Sequence, residues 1–158
     1  MSNNNEPEIL IGFDFGMKRI VVAIGQTLTQ TARPLVTLQA KSGIPDWDSI
    51  LKLIKKWQPG ALVVGIPINM DGTDQSISQH AREFASNLRQ HFQLPVHEMD
   101  ERLTTKDAKE RLFAEGGFKA LQDGQVDRVA AQLILQNWFA ESRKWQPIQG
   151  IWHRSVGI

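Results

Sequence analysis

Cysteine is absent from the 158-residue chain. Its absence excludes both a disulfide framework and a thiolate zinc site, and it suits a reducing compartment. Long apolar runs are missing too: no stretch approaches the roughly 18 residues that crossing a bilayer requires. The opening segment, Met1 to Pro7, has no basic-then-apolar pattern, so neither secretion nor membrane insertion is expected and the cytoplasm is the expected location. Charge of one sign is also lacking. A formal net charge of +1 argues against coating nucleic acid by bulk electrostatics, so any nucleic-acid site has to be a local patch. With no internal repeat and no low-complexity linker, the 41% hydrophobic content points to one core. The expected organisation is a disordered polar tail over 1–7, one domain over 8–142, and a tail over 143–158 to which no structure is assigned.

The apolar run Glu8-Ile-Leu-Ile-Gly-Phe-Asp-Phe15 is too continuous for a one-sided strand and reads as a central strand buried on both faces. Ile20-Val-Val-Ala-Ile24 follows after a short connection, which implies antiparallel pairing, and Pro34 to Gln39 offers a third strand. Trp47, Ile50, Leu51, Ile54 and Trp57 mark one face of a helix with Asp46 as N-cap, ended by Pro59-Gly60. The buried strand Ala61 to Gly65 comes next, then the loop Ile66 to Thr73. A second helix carries Ile77, Ala81, Phe84, Ala85, Leu88 and Phe92 on one side, and Leu94 to Met99 is the last strand. Thr104 or Thr105 can cap a further helix to about Ala114, stopped at Gly116-Gly117 and followed by a loop from Phe118 to Gly124. A final helix is expected from Gln125 to Ser142, with Val126, Val129, Ala130, Leu133 and Ile134 facing inward and Trp138 near its end. Three strands joined by short connections and two strand–helix crossovers predict an α/β, RNase H-like fold. Its mixed five-stranded sheet has the first three strands antiparallel, the last two parallel to the first, and helices on its faces.

Within that frame three carboxylates can converge. An ionised Asp14 at the end of a doubly buried strand needs hydrogen bonds, a cation or a metal ion to offset its desolvation. Glu101 follows the last parallel strand, whose carboxyl end opens on the same crevice. Asp127 falls in the first turn of the final helix. Hard oxygen ligands select magnesium or manganese, and two such ions can activate water for phosphodiester hydrolysis. Each residue also has a plain structural role open to it. Asp14 suits the Phe15-Gly16 turn, Glu101 can pair with Arg102 or Lys106, and Asp127 suits a helix N-terminus. Asp100 competes with Glu101, and strand parity does not separate them. Lys18, Arg19, Arg102, Lys106, Lys109, Arg111 and Arg128 gather near these motifs, either as phosphate contacts or as solvated surface charge. The four histidines, His80, His91, His97 and His153, lack metal-ligand spacing, and Trp47 and Trp57 lie on a core stripe.

Four ordered motifs resemble those of the YqgF (RuvX) family of Holliday-junction-resolvase-like proteins, also described as pre-16S rRNA nucleases. Gly12-Phe-Asp-Phe-Gly-Met-Lys-Arg-Ile20 resembles its opening motif and Val63-Val-Gly-Ile-Pro-Ile-Asn-Met-Asp-Gly-Thr73 its central loop. Asp100-Glu-Arg-Leu-Thr-Thr105 matches its most specific hexapeptide, and Val126-Asp-Arg-Val-Ala-Ala131 is similar to its last motif. Val21 departs from the glycine usual after Arg-Ile, and Gly25-Gln26 stands where Ser-Asp is frequent. The resemblance implies an RNase H-like, divalent-metal nuclease in the bacterial cytoplasm that matures the 5′ end of 16S rRNA. It makes Glu101 rather than Asp100 a ligand beside Asp14 and Asp127. Lys18, Arg19, Asn69, Arg102, Thr104, Thr105, Lys106 and Arg128 become the expected nucleic-acid contacts.

Expected partners are structured nucleic acid, RNA before DNA, and ribosomal precursor particles, with the chain a monomer or weak dimer and Mg2+ or Mn2+ as cofactor. Two other nucleic-acid readings stand beside this one: a resolvase of four-way DNA, and a non-catalytic binding or ribosome-assembly factor that retains the fold. An actin- or sugar-kinase-like ATP-binding domain shares the Asp-Phe-Gly turn, but this chain is too short for the two domains such proteins need.

Overall fold

Runs of apolar residues bury the middle strands of a sheet on both faces, and mixed patterns mark its edge. The computed structural model describes residues 8–101, 125–148 and 151–154. β1 (Ile9–Asp14) and β2 (Arg19–Gln26) pair antiparallel, which sets Asp14 opposite Val21. β3 (Thr31–Lys41) adds antiparallel to β2 and turns through Ser42 and Gly43, both at positive φ, into the two-residue β4 (Ile44–Pro45). α1 (Trp47–Trp57) crosses to β5 (Ala61–Ile66), which lies parallel to β1, and α2 (Ser78–Phe92) crosses to β6 (Val96–Asp100), parallel to β5. The sheet order is β4-β3-β2-β1-β5-β6.

The sheet therefore has six strands where five were expected. β4 is too short to leave a periodic signature, and it exists because the β3 turn folds back on the sheet edge. The antiparallel and parallel pairings are those expected. The helix anticipated from Thr104 or Thr105 to Ala114 and the loop to Gly124 fall within 102–124, outside the described residues. α3 (Gln125–Lys144) leads into a separate two-stranded hairpin of β7 (Trp145–Ile148) and β8 (Ile151–Arg154), so much of the stretch left unassigned beyond Arg143 has regular backbone.

Local chemistry sets the ends of α1. The Asp46 carboxylate accepts from the Asp48 N–H at 3.1 Å, one of the free donors of the first turn. At the other end Gln58, at φ 48°, donates its N–H to the Ile54 carbonyl, so the helix closes before Pro59-Gly60 is reached.

Two apolar layers flank the sheet. Ile11, Phe13, Phe15, Ile20, Val22, Leu62 and Val64 pack with Ile50 of α1 and with Ala81, Phe84, Ala85 and Leu88 of α2. On the opposite face Leu10, Val21, Ala23, Ala61 and Val63 pack with Ala131, Ile134, Leu135 and Phe139 of α3. Glycines let α3 approach closely: a Cβ at Gly12 would meet Leu135 Cγ at 2.7 Å, and one at Gly65 would meet Ile134 Cδ1 at 2.5 Å. These contacts also give the helix its direction. Ile134 lies at the Gly65–Asp14 end of the strands, whereas Phe139 lies over Gly25, which pairs with Leu10 at the other end. The chain of α3 thus runs opposite to β1, and its N-terminal half lies toward the carboxyl ends of the parallel strands.

Candidate active site

β1, β5 and β6 run in the same direction, so their carboxyl ends share one edge, the place where open parallel sheets bind ligands. Asp14 is the last residue of β1 and sits beside Gly65 in the parallel ladder. Glu101 follows β6 directly, and its N–H donates to the Ile66 carbonyl at 3.0 Å, which ties it to the end of β5. Its side chain folds back over Gly65: a Cβ there would lie 2.7 Å from Glu101 Cγ and 2.8 Å from Cδ. The carboxyl comes to rest against Asp14, with which it hydrogen bonds.

The register separates Glu101 from Asp100. Asp100 pairs with Ile66, a member of the α1–α2 core layer, while Met99 pairs with Gly65 and packs in the α3 layer. Alternation therefore carries Glu101 to the face that holds Asp14, and Asp100 to the other. The tie to Ile66 and the space over Gly65 complete a placement that parity in the sequence left open.

Glu101 is 8% exposed. Burial pushes its carboxyl up to about 10, helped by the hydrogen bond to Asp14, the Asp14 charge and the Asp100 charge. Burial of Glu101 and the neighbouring Asp14 charge therefore favour a protonated carboxyl here, since two adjacent carboxylates resist ionising together. A divalent cation would satisfy the same oxygens and displace that proton. The pair therefore fits a hard, oxygen-seeking ion such as Mg2+ or Mn2+.

Asp127 lies in the first turn of α3, a helix whose Ala131 and Ile134 pack on the sheet. The side chains of Asp127 and Arg128 lie outside the described residues, as do Arg102, Thr104, Thr105 and Lys106 altogether. Lys18 and Arg19 are exposed at the β1–β2 turn on the carboxylate edge. Asn69 is exposed in the loop after β5, but its side-chain amide is engaged within that loop, donating to Thr73 Oγ1 at 3.1 Å and to the Asp74 carbonyl at 3.2 Å. Gly65 is the functional position that motif reading passed over. A glycine inside an apolar strand already signalled close approach by another group. His97 stacks on Trp138 at 4.3 Å, and burial lowers its basicity, in keeping with a structural role. A shallow cavity of about 220 Å3, lined in part by Ile9, Gly25, Arg33 and Trp57, lies at the opposite end of β1 and takes no part in this site.

A mixed sheet with helices on both faces and a carboxylate pair at its parallel strand ends is the architecture of the RNase H-like nucleases. Among solved structures, Thermus thermophilus RuvC in complex with a Holliday junction substrate superposes with a TM-score of 0.50 at 13% identity, covering 86% of this chain and 96% of that one. At that identity the likeness shows the fold. The chain belongs to the RuvX family, described as Holliday junction resolvase, whose model matches residues 8–141. It is 54% identical over 132 residues to a Shewanella denitrificans protein named "Putative pre-16S rRNA nuclease", covering 84% of this chain and 94% of that protein. An Aeromonas salmonicida protein of the same name is 56% identical over the same share of both chains. Among the described residues no helix is long and apolar enough to cross a membrane.

Proposed function

We propose that this chain is a cytoplasmic, Mg2+- or Mn2+-dependent nuclease that hydrolyses phosphodiester bonds in structured RNA, and that its substrate is the 5′ end of precursor 16S rRNA. The observation that carries the reading is the Asp14–Glu101 pair over Gly65 with Glu101 buried, a costly arrangement that a divalent cation would relieve. Asp14, Glu101 and Asp127 would hold the ions, which when bound supply an activated water and stabilise the leaving oxygen. The chain's own contribution is placement. Gly65 leaves room for the Glu101 carboxyl, the N–H tie to Ile66 fixes its backbone, and Glu101 would give up its proton to hold an ion. Lys18 and Arg19, exposed on the same edge, are suited to contact substrate phosphates, with Arg102, Lys106 and Arg128 as further candidates from sequence. The names of the relatives favour precursor rRNA, carried in ribosomal precursor particles.

The family description favours a second reading, in which four-way DNA is the substrate. Symmetric strand cleavage would then call for a dimer, whereas processing of an RNA end is compatible with a monomer. One assay separates these readings: wild type and Asp14→Asn incubated with precursor rRNA and with a synthetic junction, each in magnesium or chelator. Cleavage of the rRNA that needs both Asp14 and magnesium is expected. Junction cleavage alone would reassign the substrate, and cleavage indifferent to Asp14 would remove the enzyme assignment.

A further inference from the structure

The loop that follows β5 sets a large apolar side chain at the edge where the carboxylates lie. Met70 is 73% exposed, within a stretch whose neighbours Asn69, Asp71, Gly72 and Thr73 are polar or small. An exposed methionine on a limp loop would mean little. This loop is braced along its length. The Asn69 N–H donates to the Thr73 carbonyl at 2.8 Å and the Gly72 N–H to the Asn69 carbonyl at 2.9 Å, with Gly72 at φ 91°. Asp71 Oδ1 accepts from the Thr73 N–H at 2.9 Å and from its hydroxyl at 2.6 Å. Arg82 clasps the Asp74 carboxylate through both terminal nitrogens, at 2.5 and 2.8 Å, and the Ser78 hydroxyl, itself fully buried, donates to the Pro67 carbonyl. The two aspartates are thereby turned into the loop or neutralised, which softens the repulsion that acidic side chains would offer to an approaching phosphate chain.

Sheet order brings three chemistries to one edge: the cations Lys18 and Arg19 at the β1–β2 turn, the Asp14–Glu101 pair at the ends of β1 and β6, and Met70 in the loop that leaves β5 between those two strands. A nucleic-acid backbone held by the cations and crossing this edge runs past the loop that carries Met70. We propose that Met70 is a substrate-positioning residue whose side chain packs against an unstacked base where a helix of the RNA substrate gives way to single strand. A thioether is polarisable and flexible, so it can cover the face of any base without reading its edge, and selection falls on RNA structure rather than sequence. A base inside a continuous helix is already stacked and would have to be pulled out. The inference rests on the nuclease reading above for its substrate class.

The test uses the full chain with Asp14→Asn, so that binding is read without cleavage, and RNA hairpins carrying 2-aminopurine either next to the helix–loop junction or in mid-helix. The fluorescence of the junction label is expected to change on binding, while the mid-helix label stays silent. Met70→Ala should remove most of that change and weaken junction binding about tenfold, with its melting temperature unaltered. Met70→Leu should restore both signals, and affinity for a continuous duplex should be the same in all three proteins. An unchanged signal and affinity in Met70→Ala would overturn the proposal, as would equal loss on the continuous duplex. The two readings fail separately. A Met70-dependent signal in a protein whose wild type never cleaves RNA would sink the nuclease assignment alone, whereas cleavage with no role for Met70 would sink this one alone.

Discussion

The Glu101 side chain occupies the space that a side chain at position 65 would take: a Cβ on Gly65 would lie 2.7 Å from Glu101 Cγ. Gly65→Ala is therefore expected to push the Glu101 carboxyl away from Asp14 while the strand remains in place, since the other close atom, Cδ1 at 2.5 Å, is the far end of the Ile134 side chain. A displacement of this size in a metal-binding carboxylate should lower kcat about 10²-fold. Steady-state cleavage, read beside thermal melting, checks it: a full-rate, stable Gly65→Ala protein would show that Glu101 has no fixed role.

Without metal, stability should fall as pH rises. The folded-state value of Glu101, about 10, lies above its ordinary 4.5, so between those values the native state binds more protons than the unfolded chain. The stabilisation from protonated Glu101 is complete below 4.5 and is lost as pH climbs toward about 10. Melting in chelator from about pH 6 to about pH 9 should show the decline, and Glu101→Gln should flatten it. A slope untouched by that substitution would mean that other groups govern the titration.

Metal binding has the opposite dependence on pH. Because loading the site ionises Glu101, the apparent affinity for magnesium should rise about tenfold per pH unit through the neutral range. Calorimetry in buffers of different ionisation enthalpy should record about one proton released per binding event. Binding with no proton release would rule out Glu101 as a ligand.

Asp127→Asn tests the third carboxylate. Cleavage should fall by at least about 10²-fold, with RNA affinity held within about threefold, because the change removes a metal-binding charge and leaves the phosphate contacts. Unaltered cleavage in highly purified protein would leave Asp127 with the ordinary role of a negative charge at a helix N-terminus.

Gly12 offers a control for stability without chemistry. A Cβ there would press on Leu135 Cγ at 2.7 Å inside the α3 layer, so Gly12→Ala should cost about 1–3 kcal/mol in urea unfolding through overpacking. A neutral result would mean that α3 can lift off the sheet at no cost.

Much of the fold is written into periodicity. The doubly apolar run through Phe13, the short step to Ile20 and the helical stripe from Trp47 to Trp57 each specify an element because burial demands one spacing for a strand and another for a helix. β4 escaped notice because two residues carry no period, and the terminal hairpin because Trp145–Ile148 and Ile151–Arg154 are short and the first of them contains Pro147. The inward face of α3 proved wider than the stripe suggested, taking in Ala131, Leu135 and Phe139 as well as Ala130, Leu133 and Ile134. A helix lying across several strands buries more than one stripe.

What the sequence determined by itself was the inventory: which strands are buried, that their connections make the sheet mixed, and that Asp14 stands at the end of one of them. Its motifs also named the family. Tertiary structure supplied the physical reason that Glu101 rather than Asp100 meets Asp14, made the room at Gly65, and raised the Glu101 carboxyl by burial beside Asp14. Those outcomes depend on register between strands distant in sequence and on dielectric shielding by packed neighbours, quantities that do not exist until the sheet has closed around them.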